Sequence, residues 1–126
     1  MDIEPTPRTI DIGGNMIIKL PIKPLSVNRA FQGRRFKTKE HNSFCKSVSM
    51  LLMPYKKGQY SGMLHIEYRF YLKNFIRIDI DNLIKPLQDC LVANGIIKDD
   101  RFIVGMLASK YPAEQDRIEI FISEVK

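Results

Sequence analysis

The sequence predicts one α+β domain, a mixed four-stranded sheet with two main helices and the element order βαβαββ. Three observations carry that expectation. The chain has 126 residues, 44% of them hydrophobic, which suits one core and is too little for two stacked domains. Two stretches repeat apolar residues at helical spacing. Four others are β-branched or alternate with the two-residue period of a strand. No segment repeats another, so a single mixed sheet carrying helices is the economical packing.

Residues 1–15 hold two prolines and two glycines with little periodicity and read as a flexible N-terminal arm; the domain proper is 16–126. MIIKLPI (16–22) is short and β-branched between Gly-rich and Pro-rich flanks, and is expected as a strand. KPLSVNRAFQGRRFKT (23–38) mixes Pro24, Asn28 and Gly33 with basic and aromatic residues and reads as an exposed loop. Thr38 can cap a helix whose stripe is Phe44, Val48, Leu51 and Leu52, with Pro54 as its stop. In 62–73, Leu64, Ile66, Tyr68 and Phe70 oppose His65, Glu67, Arg69 and Tyr71, the alternation of a strand. A second helix is expected from about Ile80 to Asn94, with Leu83, Ile84, Leu87 and Leu91 buried and Gly95 ending it. Residues 102–111 and 117–125 are expected as strands joined by the turn PAEQD.

Composition narrows the function classes. No run of 18 apolar residues is present, so no membrane span is expected. The start lacks a positive n-region and an apolar h-region, so no secretory signal is expected. Cys45 and Cys90 have no metal-finger spacing; a reduced, cytoplasmic protein is the default, with both cysteines as buried apolar groups. The net charge of +6 is unevenly distributed. Residues 19–57 hold ten basic side chains against the single acid Glu40, whereas 58–126 hold nine basic and ten acidic ones. A basic surface beside an acidic site suits a polyanionic substrate with divalent cations.

The chemistry concentrates between Arg77 and Arg101, where Asp79, Asp81, Asp89, Asp99 and Asp100 accompany Lys85. In an extended segment the side chains of Asp79 and Asp81 would share a face some 6–7 Å apart, near enough to meet one cation. Ile78 and Ile80 would take the other face. The chain then turns, and Asp81 can cap the helix. Pro86 disturbs that helix: either its first turn is irregular, or the regular helix starts nearer Ile84. Hard cations such as Mg²⁺ take carboxylate oxygens. No His/Cys cluster exists for zinc, since His41 and His65 lie far apart.

Asp79-Ile80-Asp81-Asn82-Leu83-Ile84-Lys85, then Asp89, then Gly95-Ile96-Ile97-Lys98-Asp99-Asp100 form a pattern that resembles the RusA family of Holliday junction resolvases. Pro24-Leu25-Ser26-Val27-Asn28 is similar to that family's opening strand and loop, and the resemblance covers roughly 16–125. Pro86 and Cys90 depart from it, standing where small or polar residues are often found. The resemblance implies a cytoplasmic, bacterial or phage-encoded homodimer acting on nucleoid DNA. It would be Mg²⁺-dependent, with Mn²⁺ as a substitute, and would nick two symmetry-related strands of a four-way DNA junction in recombination and repair. By position it makes Asp79, Asp81 and Asp100 the metal-binding carboxylates and Lys85 the essential lysine; Asp89 and Asp99, beside them in the sequence, are candidate supporting carboxylates.

The residues themselves are compatible with this chemistry. Metal ions held by carboxylates can activate water, polarise phosphorus and stabilise the leaving oxygen, and Lys85 can neutralise charge in the transition state. Asp89 can orient Lys85, although Lys85–Asp89 is also an ordinary i,i+4 pair. Asn28, Arg29, Arg34, Arg35, Lys37 and Lys39 are expected to track phosphates, and Phe31 and Phe36 either stack on exposed bases or anchor the loop. The alternative is a non-catalytic branched-DNA-binding protein, against which the clustered aspartates argue because they repel phosphate. Glu124-Val125-Lys126 has the E-x-K form of another nuclease class but ends the chain. A sugar-nucleotide transferase reading of D-x-D leaves no room for a nucleotide domain.

Overall fold

Leu64–Leu72 is the strand around which the molecule is organised. The computed structural model describes residues 9–10, 15–27, 31–32, 36–58, 60 and 62–125. In chain order the strands are β1 (Thr9–Ile10), β2 (Met16–Leu20), β3 (Phe31–Gln32), β4 (Phe36–Lys37), β5 (Leu64–Leu72), β6 (Ile103–Pro112) and β7 (Arg117–Glu124). The helices are α1 (Lys39–Leu52) and α2 (Asp81–Ala93). The main sheet runs β1-β2-β7-β5-β6. β5 lies parallel to β6 and antiparallel to β7, and β7 lies antiparallel to β2. The four long strands and two helices form the expected α+β arrangement.

Each side of the sheet follows from the two-residue period. Leu64, Ile66, Tyr68, Phe70 and Leu72 of β5, Ile118, Ile120 and Ile122 of β7, and Met16, Ile18 and Leu20 of β2 are all buried. They share one core with Phe44, Val48 and Leu52 of α1 and Leu83, Leu87 and Leu91 of α2. The opposite face is held by charge and ring contacts. Lys19 Nζ lies 3.3 Å from Glu119, Arg69 Nε 2.7 Å from Glu67, and the Arg69 guanidinium 4.3 Å from the Phe121 ring centre. Phe70→Ala is expected to destabilise the fold by about 3–5 kcal/mol, the cost of an emptied aromatic site in a packed core. Urea denaturation followed by circular dichroism measures it.

Several details differ from the sequence reading. The first long strand stops at Leu20, because Pro21 cannot donate to the ladder. The 23–38 stretch is not simply an exposed loop: Leu25 is buried, and β3 pairs with β4 as a two-stranded ribbon. Within the arm, Thr9–Ile10 adds to the sheet edge against β2. Thr38 does cap α1, its Oγ1 accepting from the backbone N–H of His41 at 3.1 Å. Beyond Leu52 the chain continues as a 3₁₀ helix, Met53–Gly58, through Pro54, where the proline falls at an early position that needs no donor. β6 and β7 are successive in the chain but not neighbours, since β5 lies between them.

The two cysteines, 45 residues apart, meet at the contact between α1 and α2 with their sulfurs 3.2 Å apart as free thiols. His41 is buried beside Cys45, and His65 is exposed on β5. No helix among the described residues is long and apolar enough to cross a membrane.

Candidate active site

The start of α2 is built from a short irregular segment. A 3₁₀ turn, Phe75–Arg77, follows β5. Ile78 is extended (φ −107°, ψ 124°), but Ile80 is already helical (φ −63°, ψ −38°). Asp81 is therefore the first helical residue and not the cap. Nor do Asp79 and Asp81 sit on a continuous extended strand, because the chain must turn within these few residues to carry α2 back over the sheet. The first turn is tight: the N–H groups of Asn82 and Leu83 donate to the carbonyls of Asp79 and Ile80, at 3.2 and 3.1 Å, three residues back instead of four. Of the two arrangements open for Pro86, the irregular first turn is the one observed.

The alternation of side chains survives the turn. Ile78 and Ile80 pack against the core, while Asp79 and Asp81 are exposed. Neither carboxylate has an ion-pair or hydrogen-bond partner among the described residues. Both sit at the positive end of the α2 dipole, where negative charge is favoured.

Asp81, Lys85 and Asp89 follow one another at four-residue steps on the same stripe of α2. Lys85 Nζ lies 3.1 Å from Asp89 Oδ1, with the two side chains 61% and 39% exposed; an exposed pair of this kind contributes a few tenths of a kcal/mol. Beneath the stripe the buried Tyr68 hydroxyl donates to Gln88 Oε1 at 2.8 Å. Burial pushes that phenol far above its ordinary pKa, and the charges of Asp100 and Asp89 add to the effect. Both carboxylates thus act on the same buried hydroxyl.

α2 ends as expected at Gly95, whose φ is 74°, with the N–H of Ile96 reaching back to the carbonyl of Leu91 at 3.0 Å. Asp99 caps the next 3₁₀ turn, Asp100–Phe102, by accepting from the backbone N–H of Arg101 at 3.0 Å. That bond holds the Asp99 carboxyl below the usual carboxylate range, and the charge of Arg101 acts in the same direction. Among the described residues, no three His, Cys, Asp or Glu side chains come together closely enough to hold a metal ion. Asp79, Asp81 and Asp100 are accordingly not gathered as such a group.

A cleft of about 740 Å³ is lined in part by Arg77 and Ile78, the residues just before Asp79. One wall is the 22–26 segment, another the N-terminal half of α1, and the third runs from Asn74 through Arg77 and Ile78 to Leu83. Its basic groups are Lys23, Lys39 and Arg77, against the acid Glu40. Of these only Lys39 was expected at a site. Ser43 and Ser47 also line the cleft, and their four-residue spacing after Lys39 is the sequence signal that places them on one helix face. Arg77 was signalled only by its place two residues before Asp79. Asn28, Arg29, Arg34 and Arg35 lie outside the described residues, as do the side chains of Phe31, Phe36 and Lys37.

Comparison with known proteins bears on this arrangement. The family model for Endodeoxyribonuclease RusA matches residues 21–123. The chain belongs to the RusA family. A curated relative, the crossover junction endodeoxyribonuclease rusA of Lactococcus phage r1t, is 32% identical over 98 residues, which cover 78% of this chain and 72% of that one. As a RusA-family protein the chain is a nuclease, a junction-resolving endodeoxyribonuclease that hydrolyses phosphodiester bonds. The RusA match takes in β5, α2, the Asp79/Asp81 pair and the residues that line the cleft. Among solved structures, thiamine monophosphate kinase from Aquifex aeolicus aligns at 10% identity with a TM-score of 0.35, covering 91% of this chain but only 35% of its own. That overlap is too loose to bear on fold or function.

Proposed function

We propose that this RusA-family chain cuts four-way DNA junctions by paired, symmetric nicks that depend on Mg²⁺, with Mn²⁺ as a substitute, in recombination and repair. The observation that carries the reading is the pair of exposed carboxylates Asp79 and Asp81 at the start of α2, without partners among the described residues, on the segment that also walls a cleft with three basic side chains. An all-oxygen donor set of one or two carboxylates plus substrate phosphate fits Mg²⁺, which keeps several waters and is seldom caged by protein alone. Bound there, the cation would supply Lewis acidity toward the scissile phosphate and acidify water.

The chain's own residues would do the rest. Asp79 and Asp81 hold the cation. Lys85, one turn along α2, places positive charge where the pentavalent phosphate gathers negative charge, and Asp89 orients its ammonium. Lys23, Lys39 and Arg77 bind flanking phosphates, joined by Asn28, Arg29, Arg34, Arg35 and Lys37. Asp100 would complete the carboxylate set from a second protomer, a reading supported by the lack of a three-carboxylate group among the described residues; Asp99 fixes the turn that carries it. A C₂ homodimer then gives each of two symmetry-related strands an equivalent site. The catalytic domain is residues 16–126, preceded by the 1–15 arm, and it works on cytoplasmic, nucleoid-associated DNA.

The direct test is a synthetic four-way junction with immobile arms, incubated with protein in Mg²⁺ or EDTA. Paired nicks at symmetric positions, in Mg²⁺ only, are expected. Binding without nicking in either Mg²⁺ or Mn²⁺ would leave a branched-DNA-binding protein instead. Replacing Arg34 and Arg35 together with Ala should weaken junction binding and make the log–log salt dependence shallower by roughly 0.9 per lost phosphate contact. A salt titration in EDTA reads this out, and an unchanged slope removes these two residues from the interface.

A further inference from the structure

Lys110 occupies a place on β6 where the pattern calls for an apolar side chain. It pairs in register with Phe70, which is fully buried on the helix-bearing face of the sheet, and directly opposed residues point to the same face. A half-buried ammonium there must find acceptors. It finds two: Lys110 Nζ donates to the carbonyl of Phe75 and to the carbonyl of Ile78, each at 2.7 Å, and it lies 5.1 Å from the Phe75 ring centre. Charged hydrogen bonds of that length are among the stronger ones available to a protein.

The grip falls on the segment that leads into the site. Phe75 opens the 3₁₀ turn, Ile78 follows its end, and the capping position Asn74 supplies no side-chain bond. Within the turn, the N–H of Arg77 donates to the carbonyl of Asn74 at 3.1 Å. Lys110 adds two bonds from 32 and 35 residues away. The second has a direct geometric consequence. The carbonyl of Ile78 and the amide nitrogen and Cα of Asp79 lie in one rigid peptide plane, so holding that oxygen sets the orientation in which Asp79 leaves the turn. The carbonyl of Asp79 then accepts from Asn82 and starts α2, which carries Asp81.

We infer that Lys110 is a positioning residue, acting through the Ile78–Asp79 peptide plane to hold Asp79 and Asp81 at the spacing that a divalent cation and phosphate require. The inference rests on the proposed cation-holding role of that pair. Misplacement of reacting groups by about 1 Å can cost on the order of 100-fold in rate, and two lost anchors act on that scale.

The test compares wild type with Lys110→Met, which keeps most of the unbranched apolar stem but removes the ammonium and with it every donor. Circular dichroism checks the fold. Expected in Lys110→Met are a kcat on a four-way junction lowered about 10- to 100-fold, a KM for the junction changed by less than about twofold, and a Mg²⁺ half-saturation raised about tenfold, as for loss of a ligand-orienting contact. Amide hydrogen exchange at Asn82 and Leu83 should accelerate while Ile120 in β7 is unchanged. A folded Lys110→Met with wild-type kcat, Mg²⁺ requirement and Asn82/Leu83 exchange overturns the inference. Should Lys110→Met not fold, Lys110→Gln, which is polar but too short to span both carbonyls, takes its place with the same expectations. If the wild type neither cleaves nor binds Mg²⁺ by calorimetry, the nuclease site is refuted at Asp79 and Asp81, and with it the catalytic part of the inference. The exchange measurement then decides separately whether Lys110 orders the segment.

Discussion

Asp81→Asn is expected to abolish Mg²⁺-dependent nicking, by at least about 100- to 1,000-fold, the scale for losing one preorganised charge-stabilising group. The substitution nearly keeps shape, and Asp81 makes no ion pair among the described residues, so little stability is at stake. Binding should move the other way. Without a cation the Asp81 carboxylate faces phosphate and repels it, so Asp81→Asn should bind the junction in EDTA at least as tightly as wild type. Thermal denaturation supplies an independent reading. A cation held only by the folded state stabilises by ligand linkage, so Mg²⁺ at ten times its dissociation constant adds about 1.4 kcal/mol, a rise on the order of 5 °C in Tm for a domain of this size. The variant should lose most of that rise. Nicking by Asp81→Asn at a wild-type rate would remove this residue from the mechanism.

A mixture of two dead variants should regain activity. If Asp81 of one protomer and Asp100 of the other complete each site, a dimer of Asp81→Asn with Asp100→Asn holds one intact site and one doubly substituted site. Random reassortment makes half of the dimers mixed, so about a quarter of the wild-type number of sites returns. The products should be single nicks, because the opposite site in each mixed dimer is empty of both carboxylates. Refolding the two proteins together and resolving products on a denaturing gel makes the measurement. If all three carboxylates act within one protomer, every site in the mixture keeps a defect and no activity returns. Monomeric protein by sedimentation at micromolar concentration would exclude paired nicking on this plan.

Much of this molecule was legible in its sequence because the relevant signals are local. Alternation over Leu64–Leu72 fixes which side chains are buried whatever the partner strands, since successive residues of a strand point to opposite sides. The stripes of α1 and α2, the Thr38 cap and the Gly95 stop are equally local, each depending on residues within one or two turns. The Asp79/Asp81 pair and the Asp81–Lys85–Asp89 row are spacing facts, so the chemistry-bearing segment stood out before any fold was known.

Other features depend on contacts between residues distant in the chain. That β5 separates β6 from β7 was hidden, because a short turn between two strands does not say whether they pair. The helical conformation at Ile80, which makes Asp81 the first helical residue and not a cap, follows from the turn that brings α2 back over the sheet. The cleft draws its walls from 22–26, α1 and 74–83, and the meeting of Cys45 with Cys90 comes from helix packing. The Lys110 grip spans more than thirty residues, with no periodicity or motif to announce it. Side-chain chemistry and local period were therefore determined by the sequence alone. Which groups meet was decided by the tertiary structure, because those distances are set by the packing of the whole core.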